Sequence, residues 1–201
     1  MSSISKKRFD RSFFERTVQL VARDLLGAYL HRQLGNSELI GRIVEVEAYH
    51  QSDPASHSFR GKTERNKIMF GEAGLSYVYF TYGMHYCMNI VTGFPGIGEA
   101  ILFRALEPMS GTKEMFKRRK KARKETDLLS GPAKICEAFQ IGRKEYGIDL
   151  ITSDELFLTR GSLRKNEKIE VTTRVGLTVG IEKEWRFFIK DNPFVSKGKP
   201  S

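Results

Sequence analysis

The tract SYVYFTYGMHYCMNIVT, residues 76–92, constrains the fold of this chain more than any other stretch. Aromatic and β-branched side chains at this density suit a pleated, half-buried surface. Gly83 in its middle admits two solutions, a pair of strands joined by a tight turn or one strand bent by a bulge. Tyr77 and Tyr79 are two apart and so share a face. A phenol is amphipathic, and tyrosines clustered near a turn suit stacking on a planar, polar ligand. A tyrosine-rich strand in an ordinary sheet is the plainer alternative.

A second strand runs from Leu39 to Tyr49, LIGRIVEVEAY, where polar and β-branched residues alternate. Glu45 and Glu47 fall on one face of it, with Val44, Val46 and Ala48 on the other. That spacing alone favours an exposed edge with solvated charges over the alternative, a general base aimed into a cleft. Residues 50–75 are polar and carry no sustained periodicity, and a loop of that length inside a compact domain is either functional or disordered. AILFRALEP follows as a strand closed by Pro108. Upstream, Phe13, Val18, Leu20, Val21, Leu25, Leu26 and Tyr29 recur at helical spacing, which predicts one amphipathic helix from Ser12 to about Leu30. Downstream, LLSGPAKICEAFQI reads as a helix with Ser130 as cap and Pro132 in its first turn. LFLTR, KIEVTTRVGLTVG and WRFFI supply short strand-like runs. Strands and helices mix without a βαβ rhythm or a repeat. The fold expected is α+β: a single compact domain with a curved, mostly antiparallel β-sheet and helices packed around it. Its expected limits are 12–195, between a flexible basic N-terminus (1–11) and a flexible C-terminal tail (196–201).

Composition narrows the partners. A net charge of +10 favours a polyanion, because each neutralised phosphate releases counterions, although basic residues also serve solubility alone. KRRKKARK, residues 117–124, is either a solvated face or a phosphate-contacting surface, and SGPAK offers backbone N–H groups and Lys134 to one phosphate. No run approaches the roughly 20 apolar residues of a bilayer span, and no secretory signal opens the chain. No membrane association is expected. The two cysteines, Cys87 and Cys136, fit a reducing cytoplasm. His50, His57, His85 and Cys87 do not follow a zinc spacing, and no phosphate-binding loop, dinucleotide or nucleophile-elbow motif occurs. Neither metal nor cofactor is expected. The residues alone leave open a non-catalytic nucleic-acid-binding module that uses the tyrosines as a stacking platform.

The ordered blocks RTVQLVARDLLGAYL, GRIVEVEAY, HSFRGKTERNKIMF, YVYFTYGMHYCMNIV, ILFRALEP and LLSGPAKICEAF together resemble the alkyladenine (3-methyladenine) DNA glycosylase family, monofunctional purine glycosylases of base-excision repair. The resemblance implies a monomer, in the cytoplasm and on the nucleoid of a bacterium, that acts on double-stranded DNA containing damaged purines. It would flip alkylated or deaminated purines (3-methyladenine, 7-methylguanine, hypoxanthine, ethenoadenine) from the duplex and hydrolyse the N-glycosidic bond without lyase activity. Roles follow position by position. Glu47 matches the base that activates water, and Arg104 the arginine that helps hold the water and the flipped nucleotide's phosphate. Tyr49, His57 and Tyr79 match the groups that enclose the flipped base, and Asn89 the amide that opposes guanine's exocyclic amine. Tyr82 matches the wedge that fills the emptied stack, while Lys134 and Met84 match contacts to the DNA backbone. Glu45 is expected to be structural. His85 stands where family members often carry an aromatic, and no role is carried over from the C-terminal third.

Overall fold

The computed structural model describes residues 7–198 and Pro200. Two short helices, α1 (Arg11–Phe14) and α2 (Val18–Asp24), precede β1 (Tyr29–Leu34) and the long β2 (Ser37–His50). The aromatic tract forms a hairpin, β3 (Ser76–Thr81) and β4 (His85–Val91), followed by β5 (Glu99–Ser110). Helices α3 (Thr112–Arg118) and α4 (Pro132–Phe139) come next, then the short strands β6 (Leu156–Thr159), β7 (Ile169–Thr172) and β8 (Arg186–Ile189). The sheet runs β3-β4-β5-β2-β1-β6, and β8 pairs with both β2 and β7. Every strand pair is antiparallel. This is the expected α+β architecture, and of the two readings of the aromatic tract it realises the hairpin.

β2 organises the molecule. One edge pairs with β5 along its length, while the other pairs with β1 as far as Arg42 and with β8 over Glu45, Val46 and Glu47. Glu45 and Glu47 therefore lie in mid-sheet, not on an exposed edge, and both are fully buried. Val44, Val46 and Ala48 face the main core with Ile43, Phe103, Leu106 and Phe139, so the predicted alternation holds. The register of β2 against β5 slips between Ile43 and Glu45 and slips again between Glu45 and Val46. The two irregularities compensate, leaving Val44 and Arg104 as the extra residues, and a bulge of this kind re-aims a side chain.

Two expectations need correction. The single helix from Ser12 to Leu30 is broken after Phe14. In a continuous helix the Val18 N–H would bond the Phe14 carbonyl. Here Gly93 N–H donates to that carbonyl (2.9 Å), and Val18 N–H donates to the Glu99 carboxylate (3.0 Å). Both ends of the missing bond have better-placed partners far along the chain. The chain then enters β1 through Gly27, whose φ is +91° and where a Cβ would lie only 2.5 Å from the Ser162 carbonyl oxygen. The strand expected to close at Pro108 continues to Ser110, with a register irregularity at Gly41 opposite the proline. Several described residues near the two ends make packing contacts. Residues 1–6, 199 and 201 lie outside the described residues. Phe9 is buried against Phe13 and Phe14, Arg8 pairs with Asp154, and Ser196 is buried against Glu45. No helix among the described residues is long and apolar enough to cross a membrane.

Candidate active site and nucleic-acid interface

The sheet register places the key side chains in a row. Tyr77 pairs with Asn89, Asn89 with Leu102, Leu102 with Glu47, and Glu47 with Arg186. Directly opposed residues share a face, so one face carries this row across β3, β4, β5, β2 and β8. Over it lies a cleft of about 270 Å³ lined by Tyr49, His57, Tyr79, Tyr82, Asn89 and Arg104. Six of the nine residues singled out by sequence line it, and a seventh, the fully buried Glu47, lies against two of them, Tyr49 and Arg104. Lys134 and Met84 lie outside the cleft and line a neighbouring groove.

The two carboxylates divide the available partners. Glu45 accepts from Arg186 Nε (2.7 Å), Arg104 Nε (3.2 Å), Ser196 N (2.6 Å) and Ser196 Oγ (2.9 Å). Both its oxygens are occupied, and it anchors the C-terminal segment. Glu47 Oε1 accepts from the Val175 N–H (2.7 Å) and faces Arg104 Nη1 at 3.3 Å. Its Oε2 accepts from the Tyr49 hydroxyl (2.8 Å), and a carboxylate oxygen can accept a second bond. Burial by itself would lower the Arg104 guanidinium, but the Glu47 and Glu45 carboxylates outweigh it and hold the charge more firmly than usual. Arg104 is therefore a permanent cation between the two acids, aimed there from its bulge.

The walls are aromatic and uncharged. Burial, then the neighbouring Glu47 carboxylate, pushes the Tyr49 phenol well above its ordinary value. Burial raises Tyr77 to about 12 and moves Tyr79 upward as well. His57 lies edge-on to Tyr79, with ring centroids 4.6 Å apart, and its Nδ1 is 2.9 Å from the Tyr77 hydroxyl. Burial and the nearby Arg65 lower its pKa, so it is neutral at pH 7. The His57 carbonyl accepts from Asn66 Nδ2 (2.7 Å), which holds the loop DPASHSFRG in place. Asn89 Nδ2 donates to the Tyr77 carbonyl (3.1 Å), fixing the orientation of its amide and leaving one N–H unused by that bond. The Cys87 thiol at the cleft is pushed up by burial and stays protonated.

The hairpin tip is the opposite kind of surface. Tyr82 and Gly83 both have left-handed backbones (φ +51° and +68°), and Tyr82 is 87% exposed with Met84 at 71%. A left-handed conformation is uncommon for an aromatic residue, and here it projects the ring off the end of β3. Open space surrounds the Gly83 Cα, so it is the backbone angle that calls for glycine there, not a close approach. Beside the tip runs a groove lined by Met84, His85, Arg119, Lys120, Lys121 and Lys134. The basic run splits along it. Lys117 and Arg118 pair with Glu114, and Arg119 pairs with Glu137, whereas Lys120 and Lys121 are exposed and form no ion pair among the described residues. Lys134 Nζ donates to Ser130 Oγ (3.1 Å).

Sequence reasoning missed the far wall of the cleft. Val175, Gly176 and Leu177 line it from the C-terminal third, and the Val175 N–H holds Glu47. These contributions come from backbone and aliphatic groups that carry no chemical signature. The one available signal was the glycine spacing in RVGLTVG, where Gly176 and Gly180 both take positive φ. Tyr77, which positions His57, was legible only as a stacking face.

An aromatic cleft thus lies beside a projecting, exposed tyrosine and a basic groove. The methylpurine-DNA glycosylase (MPG) family model matches residues 12–193. The chain is 50% identical over 187 residues to a protein of Carboxydothermus hydrogenoformans, covering 93% of this chain and 97% of the relative. It is 49% identical over 178 residues to one of Francisella tularensis subsp. tularensis (88% and 92% covered) and 44% identical over 194 residues to one of Methanocella arvoryzae (94% and 96%). All three relatives carry the name "Putative 3-methyladenine DNA glycosylase". The chain belongs to the methylpurine-DNA glycosylase family, and so to the hydrolases of DNA repair.

Proposed function

We propose that this protein flips alkylated or deaminated purines out of duplex DNA and hydrolyses their N-glycosidic bond with a water activated by Glu47. The observation that carries the reading is the Glu47 carboxylate, clamped on Oε1 by Val175 and Arg104 and bonded on Oε2 to Tyr49, an oxygen that can accept a second bond. A base inside the stack is out of reach, so the target must be extruded at a cost of a few kcal/mol, least at a damaged pair. Tyr82 enters the stack from the hairpin tip, and stacking against Tyr49 and Tyr79 returns about 1–3 kcal/mol per base. Neutral His57 contacts the flipped nucleotide without adding charge, and the Asn89 amide N–H opposes guanine's exocyclic amine, donor against donor. As the bond to the base breaks, the sugar takes on oxocarbenium character. Glu47 stabilises that charge and takes the proton of the attacking water at Oε2. Arg104 orients Glu47 and the water and supports the flipped nucleotide's phosphate. Lys134 and the backbone around Met84 hold the duplex. The chain acts as a monomer on chromosomal DNA in the cytoplasm, with no cofactor.

The test is release of 3-methyladenine or hypoxanthine from duplex DNA in single turnover, with Glu47→Gln as control. Wild type should release base, and Glu47→Gln should bind an abasic-site duplex without doing so. Tight binding by wild type with no base released would leave the stacking-module reading in its place. No lysine lines the cleft among the described residues, which supports hydrolysis without lyase chemistry. Borohydride should then trap no covalent adduct on lesion DNA.

A further inference from the structure

Behind the Tyr49 wall lies a cation that none of the roles above uses. Arg174 is fully buried, with its Cζ 4.6 Å from the centroid of the Tyr49 ring and 5.5 Å from that of Trp185. Its Nη1 donates to the Ala48 carbonyl (3.1 Å) and to the carboxylate of Asp53, itself fully buried. Its Nη2 donates to the Gly180 carbonyl (3.1 Å), and its Nε has no partner among the described residues. A buried ion pair can commonly be replaced by apolar side chains of similar volume with no loss of stability. Holding the fold together is therefore a weak reason to keep a guanidinium here with one N–H unsatisfied.

Its position supplies a stronger reason. Tyr49 lines the cleft and hydrogen-bonds Glu47, and the residue after Arg174 is Val175, whose N–H holds the other oxygen of Glu47. Arg174 thus ties the segment 174–180 to β2 and to the loop after it. It also occupies one face of the Tyr49 ring. The electron density that draws a cation to a phenol is shared between its two faces. A guanidinium already seated on one face makes the other a poorer seat for a second cation and leaves a neutral base almost unaffected. Asp53 decides how much of that field reaches the cleft.

We propose that Arg174, set by its counter-ion Asp53, is a positioning and specificity-determining residue that biases base choice from cationic toward neutral purines through the back of Tyr49. The inference rests on the glycosylase reading. It is tested by the ratio of single-turnover excision rates for a cationic base (7-methylguanine) and a neutral one (hypoxanthine). Arg174→Met removes the charge and should raise the cationic-to-neutral ratio about fivefold, the scale of one weak cation–π contact. Asp53→Asn leaves the charge without its counter-ion and should move the ratio the other way by about threefold. Arg174→Lys keeps the charge and should lower both rates with the ratio nearly unchanged. Opposite movement in the first two variants is a result that mere loosening of the fold does not produce. Equal losses on both lesions in every variant would overturn the inference, as would a ratio moving the same way in both. If Arg174→Met does not fold, Asp53→Asn, nearly isosteric, carries the test alone. Wild type that excises neither lesion would instead defeat the glycosylase reading.

Discussion

The floor of the cleft and the tip of the hairpin are built from opposite materials. On the floor, Glu45 and Glu47 are fully buried, and two arginines, a hydroxyl, a phenol and two backbone N–H groups hold them in place. At the tip, Tyr82 is 87% exposed on a left-handed backbone. Charges that must act at a fixed place need preorganised partners so that nothing reorganises during the reaction. The wedge role proposed for Tyr82 calls for exposure, and a strained backbone is compatible with it. One hairpin serves both ends, since β4 carries Asn89 into the cleft while the turn before it carries Tyr82 outward.

The floor should break hardest. Glu47→Gln removes the only acceptor proposed for the water's proton, and single-turnover excision should fall about 10²–10⁴-fold, the usual range for a positioned general base. Binding to an abasic-site duplex should persist, and excision near the wild-type rate would remove Glu47 from its role. Glu45→Gln probes the same floor by another readout. It leaves Arg104 and Arg186 facing an uncharged partner, and losing one member of a buried pair costs about 3–5 kcal/mol. Thermal unfolding should shift down by roughly 10 °C. Below that transition, excision should drop far less than for Glu47→Gln. Equal losses of activity in the two variants would erase the division of labour between the acids.

The sequence made the two acids legible as residues of one face, because strand alternation is a local property. Their burial was not legible. The groups that make it affordable are Arg104, Arg186 and Ser196, 59 to 151 residues away in sequence. The same holds for the N-terminal helix, whose apolar spacing is real but whose break depends on Gly93 and Glu99. The aromatic tract and the glycine within it narrowed this stretch to a hairpin or a bent strand, since turn and strand preferences act over a few residues, and the choice between them fell to the fold. The wall at Val175 acts through a backbone N–H, which every residue except proline possesses, so no side chain could announce it.

The tip should show stability and activity moving apart. Tyr82→Gly relieves a left-handed aromatic residue, where the backbone penalty is about 1–2 kcal/mol, offset in part by the entropy glycine restores to the unfolded chain. Thermal stability should hold or rise slightly while lesion excision at low enzyme concentration falls about tenfold, in line with the loss of one stacking contact. A lower melting temperature together with unchanged excision would make the tip a structural turn and nothing more.

The smallest effect separates the two halves of the basic run. Lys120 and Lys121 are exposed and form no ion pair among the described residues, and they line the groove that begins at Met84. Lys117 is held by Glu114. If the groove follows a DNA strand, each phosphate contact steepens the dependence of log K on log salt by about 0.9. Replacing Lys120 and Lys121 by alanine should shallow the slope for undamaged duplex by up to about 1.8, while Lys117→Ala leaves it unchanged. Binding to undamaged duplex needs no chemistry at the floor, so this measurement reads the exposed surface alone. Equal slopes for wild type and both variants would make the run a solvated face and confine the DNA contacts to the tip and Lys134.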